Sequence, residues 1–285
     1  MRELILDTLL DMARLLPFLF LTYLAMEAIE HRMGDRARAI VSKSGRFGPL
    51  LGGVLGVVPQ CGFSAAASGL YAGRVITPGT LLAIYLSTSD EMLPILISEH
   101  APASAILPIL GLKIVIGIAA GFLIDLVWRR RRPAEDGPQA ICDLCGREHC
   151  HCGEHGIFRS ALHHTVQVAL FLLLITFGLN LALHFAGEGA LETLLLNRPV
   201  AGVLLSALVG LIPNCAASVA ITTLYLKGLM DFGAMIAGLL TSAGLGLLVL
   251  FRVNRHVREN LGIVALLYAV GAACGLLLEA LGAAV

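Results

Sequence analysis

A helical bundle spanning a membrane is the fold class this sequence predicts, and three observations predict it. Of 285 residues 57% are hydrophobic and 14% charged, with a mean hydropathy of +0.85, more apolar than a soluble domain. The apolar residues fall in blocks of about twenty, long enough to cross roughly 30 Å of hydrocarbon as helix and unlike the alternating segments of a membrane barrel. Two similar proline breaks, Pro59-Gln60-Cys61-Gly62 and Pro213-Asn214-Cys215-Ala216, stand at matching places in the two halves of the chain. The 20 basic and 20 acidic residues cancel, so net charge points to no nucleic-acid partner.

Taken in order, the blocks cover about residues 4–29, 47–73, 77–97 and 104–128, then 160–184, 199–226, 231–251 and 260–284. The first carries Asp7, Asp11 and Arg14 and no small-residue cleavage pattern, so it is expected to remain as a helix rather than be removed as a signal peptide. A polar stretch separates the two sets and divides the chain into a first membrane repeat, 1–128, a Cys/His-rich loop, 129–159, and a second repeat, 160–285. An ungapped shift of 154 residues superposes the halves. It sets Gly56 on Gly210, Pro59 on Pro213, Cys61 on Cys215, Ser64 on Ser218, the pair Leu70-Tyr71 on Leu224-Tyr225, Gly79 on Gly233, Gly117 on Gly271, Gly121 on Gly275 and Asp125 on Glu279. Leu and Ala matches are cheap between membrane helices; the aligned Pro-x-Cys-x-x-Ser is not, and it reads as an internal repeat.

Basic residues collect in cytoplasmic loops. They cluster at Arg32, Arg36, Arg38, Lys43 and Arg46, at Arg129 to Arg132, and at Arg252, Arg255 and Arg258. A single crossing over 47–73 would put Arg129 to Arg132 outside. If 47–73 instead dips in and returns, all three clusters lie inside, joined by Arg74, Arg147 and Arg159, with Arg2, Arg198 and Lys227 outside and Arg14 and Lys113 within the bilayer. Each repeat then has three transmembrane helices plus a re-entrant broken-helix hairpin, about ten segments in all. An odd number of crossings per half makes the two repeats inverted, the architecture of secondary transporters whose sites lie where broken helices meet. Both termini are expected outside and the loop in the cytoplasm of a multi-pass protein of the inner cell membrane.

Proline removes a helical donor and restrains the preceding residue, so the descending arms should end at Val58 and Ile212. The breaks free backbone groups that protein, water or substrate must satisfy. Opposed hairpins would bring together Gln60, Cys61, Asn214 and Cys215, with Ser64 and Ser68 on one rising arm and Ser218 and Thr222 on the other. Asp90 and Glu91 lie within a membrane block and Lys113 near the centre of the next. Charge there costs roughly 2.5–3.5 kcal/mol on insertion scales and marks function by default, with an acid-to-Lys113 staple as the purely structural reading. The second-half equivalents of the two acids, Gly244 and Leu245, are uncharged, so the expected site is acidic on one side only. Asp125, Glu279 and His184 stand near block ends and receive no functional role.

Pro59-Gln60-Cys61-Gly62-Phe63-Ser64, Pro213-Asn214-Cys215, the Ser87-Thr88-Ser89-Asp90-Glu91 run and the loop with Cys150-His151-Cys152 together resemble the predicted heavy-metal efflux permeases related to arsenical permeases, of the type labelled manganese transporters. The resemblance covers nearly the whole chain and implies metal or metalloid export. Arsenical permeases tend to pair cysteines at the first break, whereas here Cys61 is followed by Ser64, which disfavours trivalent arsenic.

Within the loop, Cys142, Cys145, His149, Cys150, His151, Cys152 and His155 fall inside fourteen residues. On a reducing cytosolic face clustered thiols read as metal ligands, and the Cys142/Cys145 spacing is that of a zinc knuckle, so a zinc-like ion is the expected cofactor; a redox pair at those two cysteines is the other chemistry open to them. No phosphate-loop motif occurs, so the chain reads as a gradient-driven permease and not an enzyme. Its substrate-binding residues are Gln60, Cys61, Ser64, Asp90, Glu91, Asn214, Cys215 and Ser218, and its substrate a divalent or heavy-metal ion, manganese-like. An arsenite or organoarsenical permease, a small-oxyanion transporter and a membrane thiol oxidoreductase are the rivals. Membrane lipid and the metal ion are the expected partners, nucleic acid is not, and a homo-oligomer is compatible.

Overall fold

A computed structural model describes residues 47–57, 61–89, 92–129 and 199–282, together with scattered positions between 16 and 24 and between 158 and 177. The described chain is helical: α1 Gly48–Leu55, α2 Cys61–Ala72, α3 Pro78–Ser87, α4 Met92–Ser98, α5 Ala103–Arg129, α6 Pro199–Gly210, α7 Cys215–Leu226, α8 Phe232–Thr241, α9 Gly246–Val253 and α10 Val257–Ala280. Four of the five elements in each set begin 154 residues apart: Cys61 and Cys215, Pro78 and Phe232, Met92 and Gly246, Ala103 and Val257. The shift read from residue identities is therefore also the shift of the helix starts.

Four apolar stretches are long enough to cross a membrane: Pro78–Ser98, Ala103–Val127, Phe232–Val253 and Val257–Ala280. They form two classes. In the first and third, 75% and 89% of the most apolar window is buried within the protein, against 22% and 28% in the second and fourth. The α3–α4 and α8–α9 stretches thus make the core, while α5 and α10 present Val115, Leu123, Leu126 and Leu277 outward, an apolar exterior suited to lipid and costly in water.

Both core stretches are broken. α3 ends at Ser87 and α4 begins at Met92; α8 ends at Thr241 and α9 begins at Gly246. The sequence blocks 77–97 and 231–251 carry no proline at these points, and their interruption comes from other chemistry. Thr88 caps α3 with its hydroxyl donated back to Ile84 O at 2.6 Å, a side-chain bond that competes with continuation of the helix. In the second half Gly244 takes φ +52°, the left-handed conformation in which a glycine stops a helix without a Cβ penalty.

The hairpin arms end earlier than expected. α1 stops at Leu55 and α6 at Gly210 rather than at Val58 and Ile212. Bonds from Leu211 N to Leu208 O and from Ile212 N to Val209 O tighten the chain into three-residue turns before Pro213, so the helix has changed type before the proline acts.

Within each half α1 packs on α3 and α3 on α5, as α6 packs on α8 and α8 on α10. At the α8–α10 crossing a Cβ on Gly233 would stand 2.7 Å from Gly275 O, so the crossing depends on glycine. Between halves the partners are exchanged: α2 lies on α9, and α7 on α4. Asp125 is structural. It accepts from Thr77 Oγ1 at 2.7 Å and Gly79 N at 2.8 Å, capping the start of α3 from the end of α5, where an acidic group also complements the helix dipole.

Candidate functional site

Two pairs of breaks converge. Ser89, at the α3–α4 break, donates its hydroxyl to Val57 O at 2.6 Å, a carbonyl just beyond the end of α1. The two segments that carry Gln60 and Asp90 therefore leave from one hydrogen-bonded point. Pro59, Gln60, Asp90 and Glu91 themselves lie outside the described residues, as do the side chains of Cys61 and Cys215. The backbones of Cys61 and Cys215 open α2 and α7, as the proline breaks predicted. Cys142, Cys145, His149, Cys150, His151, Cys152 and His155 also lie outside the described residues. Among the described residues no three His, Cys, Asp or Glu side chains come together.

The described hairpin residues are buried: Ser64 and Ser68 at 0%, Ser218 at 1%, Thr222 at 0% and Asn214 at 4% relative exposure. Ser68 and Thr222 are occupied by structure. Thr222 donates to Ser218 O at 2.7 Å. The Ser68 hydroxyl stands 2.7 Å from both Ser64 O and Gly246 O and 2.6 Å from the Tyr85 hydroxyl; because the carbonyls only accept, they share the single Ser68 proton, and Tyr85 donates to Ser68. With both residues at 0% exposure, the Ser68–Tyr85 contact has a fixed core role.

Ser64 is placed differently. A Cβ on Gly246 would come 2.9 Å from Ser64 Cβ, so the first turn of α2 rests against the first residue of α9, immediately after the α8–α9 break. The reciprocal contact of α7 with α4 sets the helix of Cys215 and Ser218 against the segment that follows residues 90–91. Hairpin residues of each half thus meet the broken core helix of the other, a contact the sequence did not announce, since it expected the two hairpins to meet each other.

Three further residues acquire contacts the sequence did not assign them. Lys113, 1% exposed, donates from Nζ to Thr88 O at 2.5 Å and Leu239 O at 2.8 Å, linking the two core breaks. Ser89 joins one core break to one hairpin break. Ser242 caps α8 with its hydroxyl 3% exposed and without a hydrogen-bond partner, a cost of roughly 1–3 kcal/mol that asks for a ligand or a function. The hydroxyl-rich Ser87-Thr88-Ser89 and Thr241-Ser242 pairs, aligned by the repeat, were the available signal.

At the far end of α2 a second polar group ties the halves together. Arg74 pairs with Glu259 at 3.1 Å, Tyr71 donates its hydroxyl to the same carboxylate at 3.2 Å, and the guanidinium lies 5.7 Å from the Tyr71 ring centre.

A family model described as "Putative, 10TM heavy-metal exporter" matches residues 1–183 and 156–284. No curated protein and no solved structure matches the chain. The ten segments counted from the sequence agree with the family's description, the apolar core stretches with a membrane protein, and the matched residues reach nearly from end to end: the chain belongs to this family of ten-transmembrane heavy-metal exporters.

Proposed function

We propose that the exported ion is a divalent cation of the manganese class, carried by a gradient-driven mechanism between two inverted halves, with Asp90 and Glu91 as its charged ligands. The observation that carries this reading is the Ser89–Val57 hydrogen bond of 2.6 Å, which draws the acidic core break and the Gln60–Cys61 hairpin break to one point. Carboxylate, amide and freed carbonyl oxygens suit a hard or borderline divalent ion, and Cys61 and Cys215 extend the range toward softer ones. The shared helix starts and exchanged packing support a pseudo-two-fold relation between the halves, and the odd number of crossings per half makes that relation an inverted one.

Manganese uptake into inside-out vesicles holding the full-length protein tests the reading. Asp90→Asn keeps the shape and removes the charge that offsets dehydration, so uptake should fall about tenfold or more, the equivalent of roughly 1.4 kcal/mol. Cys61→Ser and Cys215→Ser should leave manganese uptake within about twofold, since manganese does not prefer sulfur. Unchanged uptake by Asp90→Asn would remove the acidic site; arsenite transport lost in either cysteine variant would transfer the reading to the arsenical class.

A further inference from the structure

The carbonyls that hold Lys113 have both lost their helical partners. In an unbroken helix Thr88 O would accept from Met92 N and Leu239 O from Ala243 N. Here Met92 N goes to Ser89 O and Ala243 N to Thr241 O, each at 2.9 Å. Each oxygen lies at the C-terminal end of a helix halted inside the protein, where unsatisfied carbonyls and the helix dipole concentrate negative potential. Two freed carbonyls brought to one ammonium from facing helix breaks are hard oxygen donors of the kind that bind a small cation. Under the shift of 154, Lys113 corresponds to Leu267, which is fully buried, so the ammonium has been added to one half and is no part of the shared framework.

We propose that Lys113 is a tethered cation: its ammonium fills an oxygen site that includes Thr88 O and Leu239 O and that would otherwise take a small monovalent cation. The wild-type protein consequently needs no sodium-like ion to hold its two core breaks together. Shortening the side chain empties the site and creates a dependence on sodium. This inference is independent of which metal is exported.

The test is thermal unfolding of the full-length protein in detergent, in sodium chloride and in choline chloride of equal ionic strength, with Lys113→Ala prepared in sodium throughout. Wild type should unfold at the same temperature in both salts. Lys113→Ala should gain about 5 °C from sodium, saturably, as expected for a ligand that binds only the folded state. Equal midpoints for Lys113→Ala in the two salts would overturn the proposal. So would failure of the variant to fold in sodium, since sodium would then not replace the ammonium, or an equal sodium gain in wild type.

Discussion

Arg74 holds a backbone φ of +58°, while the residue 154 positions on is Gly228 at φ +68°. The second half meets this left-handed position with the residue that adopts it freely; the first half keeps a side chain there, at a cost of about 1–2 kcal/mol. The ion pair with Glu259 at 3.1 Å, which ties the end of α2 to α10 of the other half, and the local stacking on Tyr71 account for its retention. Removing the side chain while keeping a Cβ should lose the contacts and keep the strain. Arg74→Ala should therefore unfold below Arg74→Gly by about 1 kcal/mol, read as the difference in thermal midpoint in detergent. Equal midpoints would mean that the conformation carries no strain.

Among elements, the hairpin breaks were legible because proline acts on the backbone wherever it stands, and because the aligned Pro-x-Cys-x-x-Ser is too specific to recur by chance. The core breaks were not. Ser87-Thr88-Ser89 and Thr241-Ser242 remain compatible with a membrane helix, and what stops the chain is a capping hydroxyl in one half and the φ of Gly244 in the other, choices that hydropathy does not register. Lys113 was marked as charged, but its partners could not be named, since they are carbonyls freed by breaks the sequence did not announce. The aligned glycines were legible as repeats and acquire a reason at the helix crossings. A Cβ on Gly233 would also stand 2.6 Å from Glu279 Oε2, and α8 cannot back away without losing its packing on α6. Gly233→Ala should cost about 1–3 kcal/mol and lower the yield of folded protein; at Gly111, where a Cβ would meet nothing within 4 Å, the same change should be harmless. Equal yields for the two variants would contradict this account of the crossing.

For the molecule as a whole, composition and block length sufficed for the membrane class, and a single shift of 154 residues was enough to align helix starts. Sequence alone carried the direction of each half only through the placement of arginine and lysine, a bias in loops rather than a contact. The exchange of α2 onto α9 and of α7 onto α4 supports two halves in a reciprocal arrangement, each offering its hairpin to the other's broken helix. That arrangement underlies the proposed site, since it brings Cys61 and Cys215 to the two core breaks from opposite sides. Single cysteines at Val75 and Leu229, in a full-length background lacking the seven native cysteines, probe it directly with a membrane-impermeant thiol reagent. The account predicts labelling of residue 75 only from the cytoplasmic side and of residue 229 only from the opposite side; labelling of both from one side would contradict it.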